Sequence, residues 1–215
     1  MENNQPLHAS NNRAWIRLLI MRSLYHFIVE PKGGERYDNT VDINGVDINI
    51  SASNEDHLVT NRIAVVDKIP ASYVGPIKDG YEVIVHHNTF RLMKNMKGKE
   101  TSSWGYLFNN KFMVEDGEIY AYRKPGEKWN AISPFCFVEP IKGHIEGILP
   151  DHIDFNNPEA QLYGIMVYPN DDQKHIVPGT IVGYIPYSEY TFNIDGKKLY
   201  RMKTNMICLI SDKKY

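Results

Sequence analysis

The ten residues Val41-Asp42-Ile43-Asn44-Gly45-Val46-Asp47-Ile48-Asn49-Ile50 alternate between apolar and polar about a central Asn-Gly pair. Period two sends successive side chains to opposite faces of an extended chain. Asn-Gly supplies two residues that reach positive φ cheaply, as a two-residue type I′ turn requires. The stretch predicts a β-hairpin, and the rest of the chain keeps its rhythm. Leu24–Pro31, Arg62–Val66, Tyr81–Val85, Lys111–Val114, Ile119–Arg123, Phe135–Pro140 and Tyr163–Tyr168 read as short strands stopped by Pro, Gly or Asp-Gly turns. Residues 91–105 read as a loop, and Glu115-Asp116-Gly117 as the turn of a further hairpin. Arg13 to Ser23 is ambiguous. Trp15, Leu18, Leu19 and Arg22 fit a short helix, yet the apolar run continues into Phe27-Ile28-Val29 as a strand would. Many short strands at close spacing, without a long helical period, predict an all-β barrel or sandwich.

The layout also recurs. Ile28-Val29-Glu30-Pro31 returns as Phe137-Val138-Glu139-Pro140 at an offset of 109 (140 − 31), and Ile63-Ala64-Val65 as Ile165-Met166-Val167 at 102 (165 − 63). Gly80 returns as Gly179 at 99 (179 − 80), and Asp116-Gly117 as Asp195-Gly196 at 79 (195 − 116). The order holds while the offset shrinks, as expected of a duplication whose first copy carries longer loops. The expected organisation is an N-terminal extension at 1–23, a first barrel at 24–132 and a second at 133–215. Ile132 leads almost directly into the next strand, so two such barrels should pack side by side.

Bulk properties narrow the function classes. A net charge of −2 and a pI near 6.4 provide no basic field for nucleic acid or an anionic membrane. Arg13, Arg17, Arg22 and His26 interrupt the apolar run from Trp15 to Val29, so no membrane span is expected there, and a cytoplasmic setting is. Cys136 and Cys208 lie alone in apolar strand patterns, as small buried hydrophobes in a reducing compartment do. No phosphate loop, Cys-x-x-Cys or nucleophile elbow is present, so neither catalytic residue nor cofactor is expected. His86-His87, as neighbours on a strand, should point to opposite faces and hold no metal. His144 and His152, with Asp151 and Asp154, lie in a polar loop that reads as solvated. Asp171-Asp172 reads as a turn. Tyr120, Tyr122, Arg123 and Lys124 fit sheet packing better than a single-strand-binding face.

One loop stands apart. Glu146-Gly147-Ile148-Leu149-Pro150-Asp151 carries an apolar pair between glycine and proline in otherwise polar surroundings, with strands on either side. Such a pair either plugs a local gap or offers anchors to a partner. With the Gly164-Ile165-Met166-Val167 strand, the Val177-Pro178-Gly179-Thr180-Ile181-Val182 stretch, the Asp195-Gly196-Lys197-Lys198-Leu199-Tyr200 turn and the closing Asn205–Ile210 strand, it resembles the GroES-type co-chaperonins over 135–210. The resemblance implies two tandem GroES-like β-barrels and a non-enzymatic lid on a GroEL-type, ATP-driven chaperonin. It also implies a homo-oligomeric ring joined through terminal strands, for which Leu24–Val29 and Asn205–Ile210 are the candidate edges. Ile148 and Leu149 would be the anchors, Gly147 would allow the bend and Pro150 would stiffen the exit. The first copy lacks this motif; Val46, Ile48 and Ile50 of its hairpin are the second candidate contact. The double length resembles the tandem co-chaperonins of chloroplasts, yet no transit peptide is visible, and the Asn-rich, unusual sequence resembles divergent, bacteriophage-encoded members, which would act in the host cytoplasm. The alternative expectation is a phage virion or assembly protein that reuses the tandem barrel as a ring or connector.

Overall fold

The computed structural model describes residues 22–37, 40–43, 46–49, 59–142 and 159–214. Strands β1 (Phe27–Pro31), β4 (Ile63–Lys68), β5 (Glu82–Val85), β8 (Phe112–Val114), β9 (Ile119–Arg123) and β10 (Asn130–Ala131) form one antiparallel sheet in the order β10-β9-β5-β4-β1-β8. Strands β11 (Phe135–Lys142), β12 (Glu159–Tyr168), β13 (Thr180–Tyr184), β14 (Tyr190–Ile194), β15 (Lys197–Lys203) and β16 (Ile207–Lys214) form a second, in the order β14-β15-β11-β12-β13-β16. Two separate ribbons pair β2 (Thr40–Ile43) with β3 (Val46–Asn49) and β6 (Leu92–Lys94) with β7 (Glu100–Ser102). The strand pairing expected of the 41–50 hairpin is present between β2 and β3, with Ile43 opposite Val46; Asn44, Gly45 and Ile50 lie outside the described residues. No helix of the described residues is long and apolar enough to cross a membrane.

Several expectations are corrected. Both sheets are open, not closed barrels: no pairing joins β10 to β8, or β14 to β16. The strand at 24–29 is no edge either, because β1 lies between β4 and β8. β8 and β9 are not a hairpin; β8 pairs with β1 and β9 with β5. Asp116-Gly117 sits in a 3₁₀ turn, Asp116–Glu118, in which neither residue has positive φ. A tight hairpin turn of primed type needs positive φ, and Asp195 (51°) and Gly196 (76°) supply it between β14 and β15. Residues 91–105 carry the β6–β7 ribbon, and Cys208 is exposed while Cys136 is buried.

The two sheets share one plan. β8-β1-β4-β5-β9 and β15-β11-β12-β13-β16 stand in the same order. Val29↔Val66, Glu30↔Val65 and Pro31↔Ala64 recur as Val138↔Met166, Glu139↔Ile165 and Pro140↔Gly164, at offsets of 109 (138 − 29) and 100 (166 − 66). Val83↔Tyr122 recurs as Val182↔Ile210, at 99 (182 − 83) and 88 (210 − 122). Irregularities recur with the regular pairs. The register slips at Ile28/Val29 and again at Phe137/Val138, and it slips at Ile84/Val85 and again at Gly183/Tyr184. The 3₁₀ turn before β9 returns before β16 as Thr204–Met206. The register thus replaces the sequence match of Ile63 with Ile165 by Ile63 with Tyr163. The error of two residues keeps every side chain on its own face, because the strand period is two. Asp116-Gly117 corresponds to Thr204-Asn205 and not to Asp195-Gly196.

Each copy has its own core. Phe27, Val29, Val66, Ile77, Val83 and Val114 are buried together in the first, and Cys136, Val138, Met166, Ile176, Val182 and Met202 take the corresponding places in the second. A third cluster belongs to both. Ile84, Tyr120 and Ala121 of the first sheet, with Trp129 just before β10, pack on Phe137, Phe192, Ile194 and Leu199 of the second. These are the opposite faces of the same strands, since neighbours along a strand alternate. Full burial of each large apolar side chain contributes roughly 1.5–3 kcal/mol relative to exposure. The junction is therefore a core and not a loose contact.

Candidate functional site

The shared register identifies two long connections as counterparts. One joins β1 to β4 and carries the β2–β3 ribbon; the other joins β11 to β12 and carries 143–158. Both leave and re-enter the sheets between equivalent strands. Gly147, Ile148, Leu149 and Pro150 lie outside the described residues, as do Ile50, His144, Asp151, His152 and Asp154. Val46 and Ile48 stand in β3, where the register sets Val41 opposite Ile48 and Ile43 opposite Val46. In the same register Asp42 stands opposite Asp47.

The root of the first connection is firmly tied. The Asn61 side-chain amide donates to the Lys32 carbonyl (3.0 Å) and the Glu35 carbonyl (2.9 Å), and the Lys32 amide donates to the Ile63 carbonyl. Arg36 donates to Ser102 Oγ at 3.0 Å and to Asn110 Oδ1 at 3.2 Å, with its guanidinium over the Phe112 ring at 4.9 Å. Gly33 and Gly34 take φ of 78° and 83°, which lets the chain leave β1 sharply. The described residues on either side of this connection are thus tied to one another by hydrogen bonds.

Beside that base lies a polar cleft of about 500 Å³ between the copies, lined by Lys32, Tyr37, Arg62, Asn193 and Asp195 among others. Its charges serve the junction. Arg123 holds Asp195 in a two-pronged pair (2.7 and 3.1 Å) and Glu82 at 2.6 Å; Trp129 Nε1 donates to Asp195 at 2.9 Å, and Lys32 pairs with Glu82 at 2.8 Å. Burial alone would raise the Asp195 carboxyl, but the bonds from Arg123 and Trp129 outweigh it and hold it below the usual range. Glu82 is lowered in the same way, with Lys32 and Arg123 overcoming the effect of burial.

His86 and His87 do not splay to opposite faces. The strand ends at Val85, the chain turns, and the two rings lie 4.1 Å apart. His87 Nδ1 lies 2.7 Å from the Tyr190 hydroxyl of the second copy. Burial, and then the charges of Arg62 and Arg201, push His86 below the ordinary imidazole range. No group of three or more His, Cys, Asp or Glu among the described residues is arranged to hold a metal ion. Tyr120 packs edge-on against Phe135 at 4.7 Å with the Arg201 guanidinium 4.4 Å from its ring, and Arg123 lies 4.2 Å from the Trp129 ring. These residues build the junction. Asp171-Asp172 is a turn, as expected, with Asn170 Oδ1 accepting from the Asp172 amide at 3.0 Å. Sequence reasoning missed the Arg123–Asp195 link; no local pattern marks a pair 72 residues apart. The chain matches no family model and none of the curated proteins.

Proposed function

We propose that this chain is a non-enzymatic co-chaperonin that lids a GroEL-type, ATP-driven chaperonin. In this reading the halves 24–132 and 133–215 are tandem GroES-like units, each an opened sheet around its own core, and several chains form a ring in the host cytoplasm. One observation carries the proposal: two long connections occupy equivalent places, between β1 and β4 and between β11 and β12. Each chain then presents two contact elements. Gly147-Ile148-Leu149-Pro150 is the stronger, and the ribbon with Val46, Ile48 and neighbouring Ile50 is the weaker. A loop that orders on docking binds weakly alone, and a ring supplies the avidity.

The test is pull-down of the purified chain by a GroEL-type chaperonin with ATP. An Ile148→Ser, Leu149→Ser variant should lose that binding at an unchanged melting temperature, because each anchor contributes roughly 1.5–3 kcal/mol in an apolar groove. Unfolding of the variant would identify the pair as a core plug. Absence of wild-type binding, with a ring still present, would favour the virion or assembly reading.

A further inference from the structure

The internal repeat points to what covers the outer faces of the two halves. Within the chain, Ile84, Tyr120 and Ala121 of the first half are buried under Phe137, Phe192 and Leu199 of the second. The register carries Ile84 onto Gly183 at 99 (183 − 84), and Tyr120 and Ala121 onto Cys208 and Leu209 at 88 (209 − 121). In the second half the described residues at the last two of these positions are exposed. Leu209 is 55% exposed, Cys208 is exposed, and so is Ile185, the counterpart of His86.

Among the described residues, the complementary face carries exposed aromatics at the other end. Phe135 and Phe137, which receive the first half, correspond to His26 and Ile28 at 109 (137 − 28). Trp104, 64% exposed, meets the His26 ring edge-on at 6.1 Å, and Tyr25 is 69% exposed beside it. The positions of Leu199 and Val167 are held here by Lys111 and Asp67, which pair with each other at 2.6 Å. That internal pairing leaves the face without net charge from these two groups.

We infer that the occupant of each face is a second copy of this chain: the Leu209 face of one docks on the Trp104–His26–Ile28 face of the next and repeats the junction inside the chain. The chain already shows how this sheet face is covered, namely by the opposite end of the same unit. Leu209 and Trp104 belong to different patches, so the contact is head-to-tail and propagates, closing into a ring where the rotation closes. The ion pair in place of two apolar residues makes this contact weaker than the internal one, and reversible on dilution. The inference deepens the ring element of the co-chaperonin reading and rests on that reading only for closure. It concerns a sheet face and not the strand edges.

Sedimentation velocity of the full chain at micromolar concentration, with no chaperonin present, tests it. Wild type should run as an assembly, and Leu209→Asp or Trp104→Asp alone as a 24.8 kDa monomer. An equimolar mixture of the two variants should give a one-to-one dimer and nothing larger, since each brings the face the other lacks. Ile185→Asp with Tyr25→Asp forms a second pair, should either first substitution unfold the chain. A monomeric wild type, variants that stay assembled, or a mixture that stays monomeric would each overturn the inference. Assembly without chaperonin binding would uphold it and count against the lid function.

Discussion

Phe137 and Met166 lie on adjacent strands of one sheet but serve different cores, and truncating each in turn separates the roles of those cores. Phe137 is fully buried in the shared cluster, with ring centroids 5.9 Å from Phe192 and 6.1 Å from Tyr168. Met166 is fully buried on the opposite face, in the core of the second half. Phe→Ala in a core costs about 3–5 kcal/mol and Met→Ala about 2–5 kcal/mol, transfer and cavity together. A single domain has only about 5–15 kcal/mol in total, so either loss is large. The costs fall in different places. Phe137→Ala weakens the tie between the sheets and leaves both private cores intact, so the halves should unfold in two steps. Met166→Ala should lower the second half alone and keep the tie. Urea unfolding followed by circular dichroism reports all strands. Trp129 fluorescence, in a Trp15→Phe, Trp104→Phe background, reports the junction through its bond to Asp195. For Phe137→Ala the fluorescence transition should come first and the apparent m-value should fall. Coincident transitions at the wild-type midpoint would refute a shared core that couples the halves.

Three further outcomes follow from the geometry. A Cβ at Gly164 would overlap Val138 Cγ1 and lie 2.8 Å from the Glu139 carbonyl oxygen, so Gly164→Ala should cost about 1–3 kcal/mol, although its counterpart is Ala64; thermal melts decide. Asp195 and Glu82 have folded pKa values below their unfolded ones, so their contribution is complete above about pH 4.5 and lost as the pH falls through the lowered values; Asp195→Asn should flatten that acid limb of a stability-against-pH curve. His86 is also lowered, so its unfolded state takes up the proton first and stability declines as the pH falls below about 6.5; His86→Gln should remove that slope, and an unchanged slope would assign it elsewhere.

What could be read in advance was local. The ribbon at 40–49 was legible because alternation and Asn-Gly are both short-range signals. The ribbon at 92–102 was not, because Met93, Lys94, Glu100 and Thr101 are all exposed and show no apolar face. The two Asp-Gly pairs look alike in sequence, and only φ separates the 3₁₀ turn from the hairpin turn. The junction was hidden because its members fall at alternate strand positions, where Ile84 and Ala121 look like the outer face of a free sheet. As for the candidate site, its loop motif was visible but its equivalence to the first-copy ribbon needed the register, which sequence offsets of 102 and 79 misplaced.

The position of β1 between β4 and β8 also bears on how the chain is made. β1 gains its second neighbour only with Phe112, 85 residues after Phe27 (112 − 27), and β11 waits likewise for β15. Closing such separations slows folding, since loop entropy is lost before the pairing energy is gained. On the ribosome, the first sheet therefore completes its core strands only once β8 and β9 have emerged. It then keeps Ile84, Tyr120 and Ala121 without their full cover while 76 further residues, through Leu199, are synthesised (199 − 123). That interval is when a nascent chain with a bare apolar sheet face is most exposed to aggregation, and also when it would first meet an already finished copy.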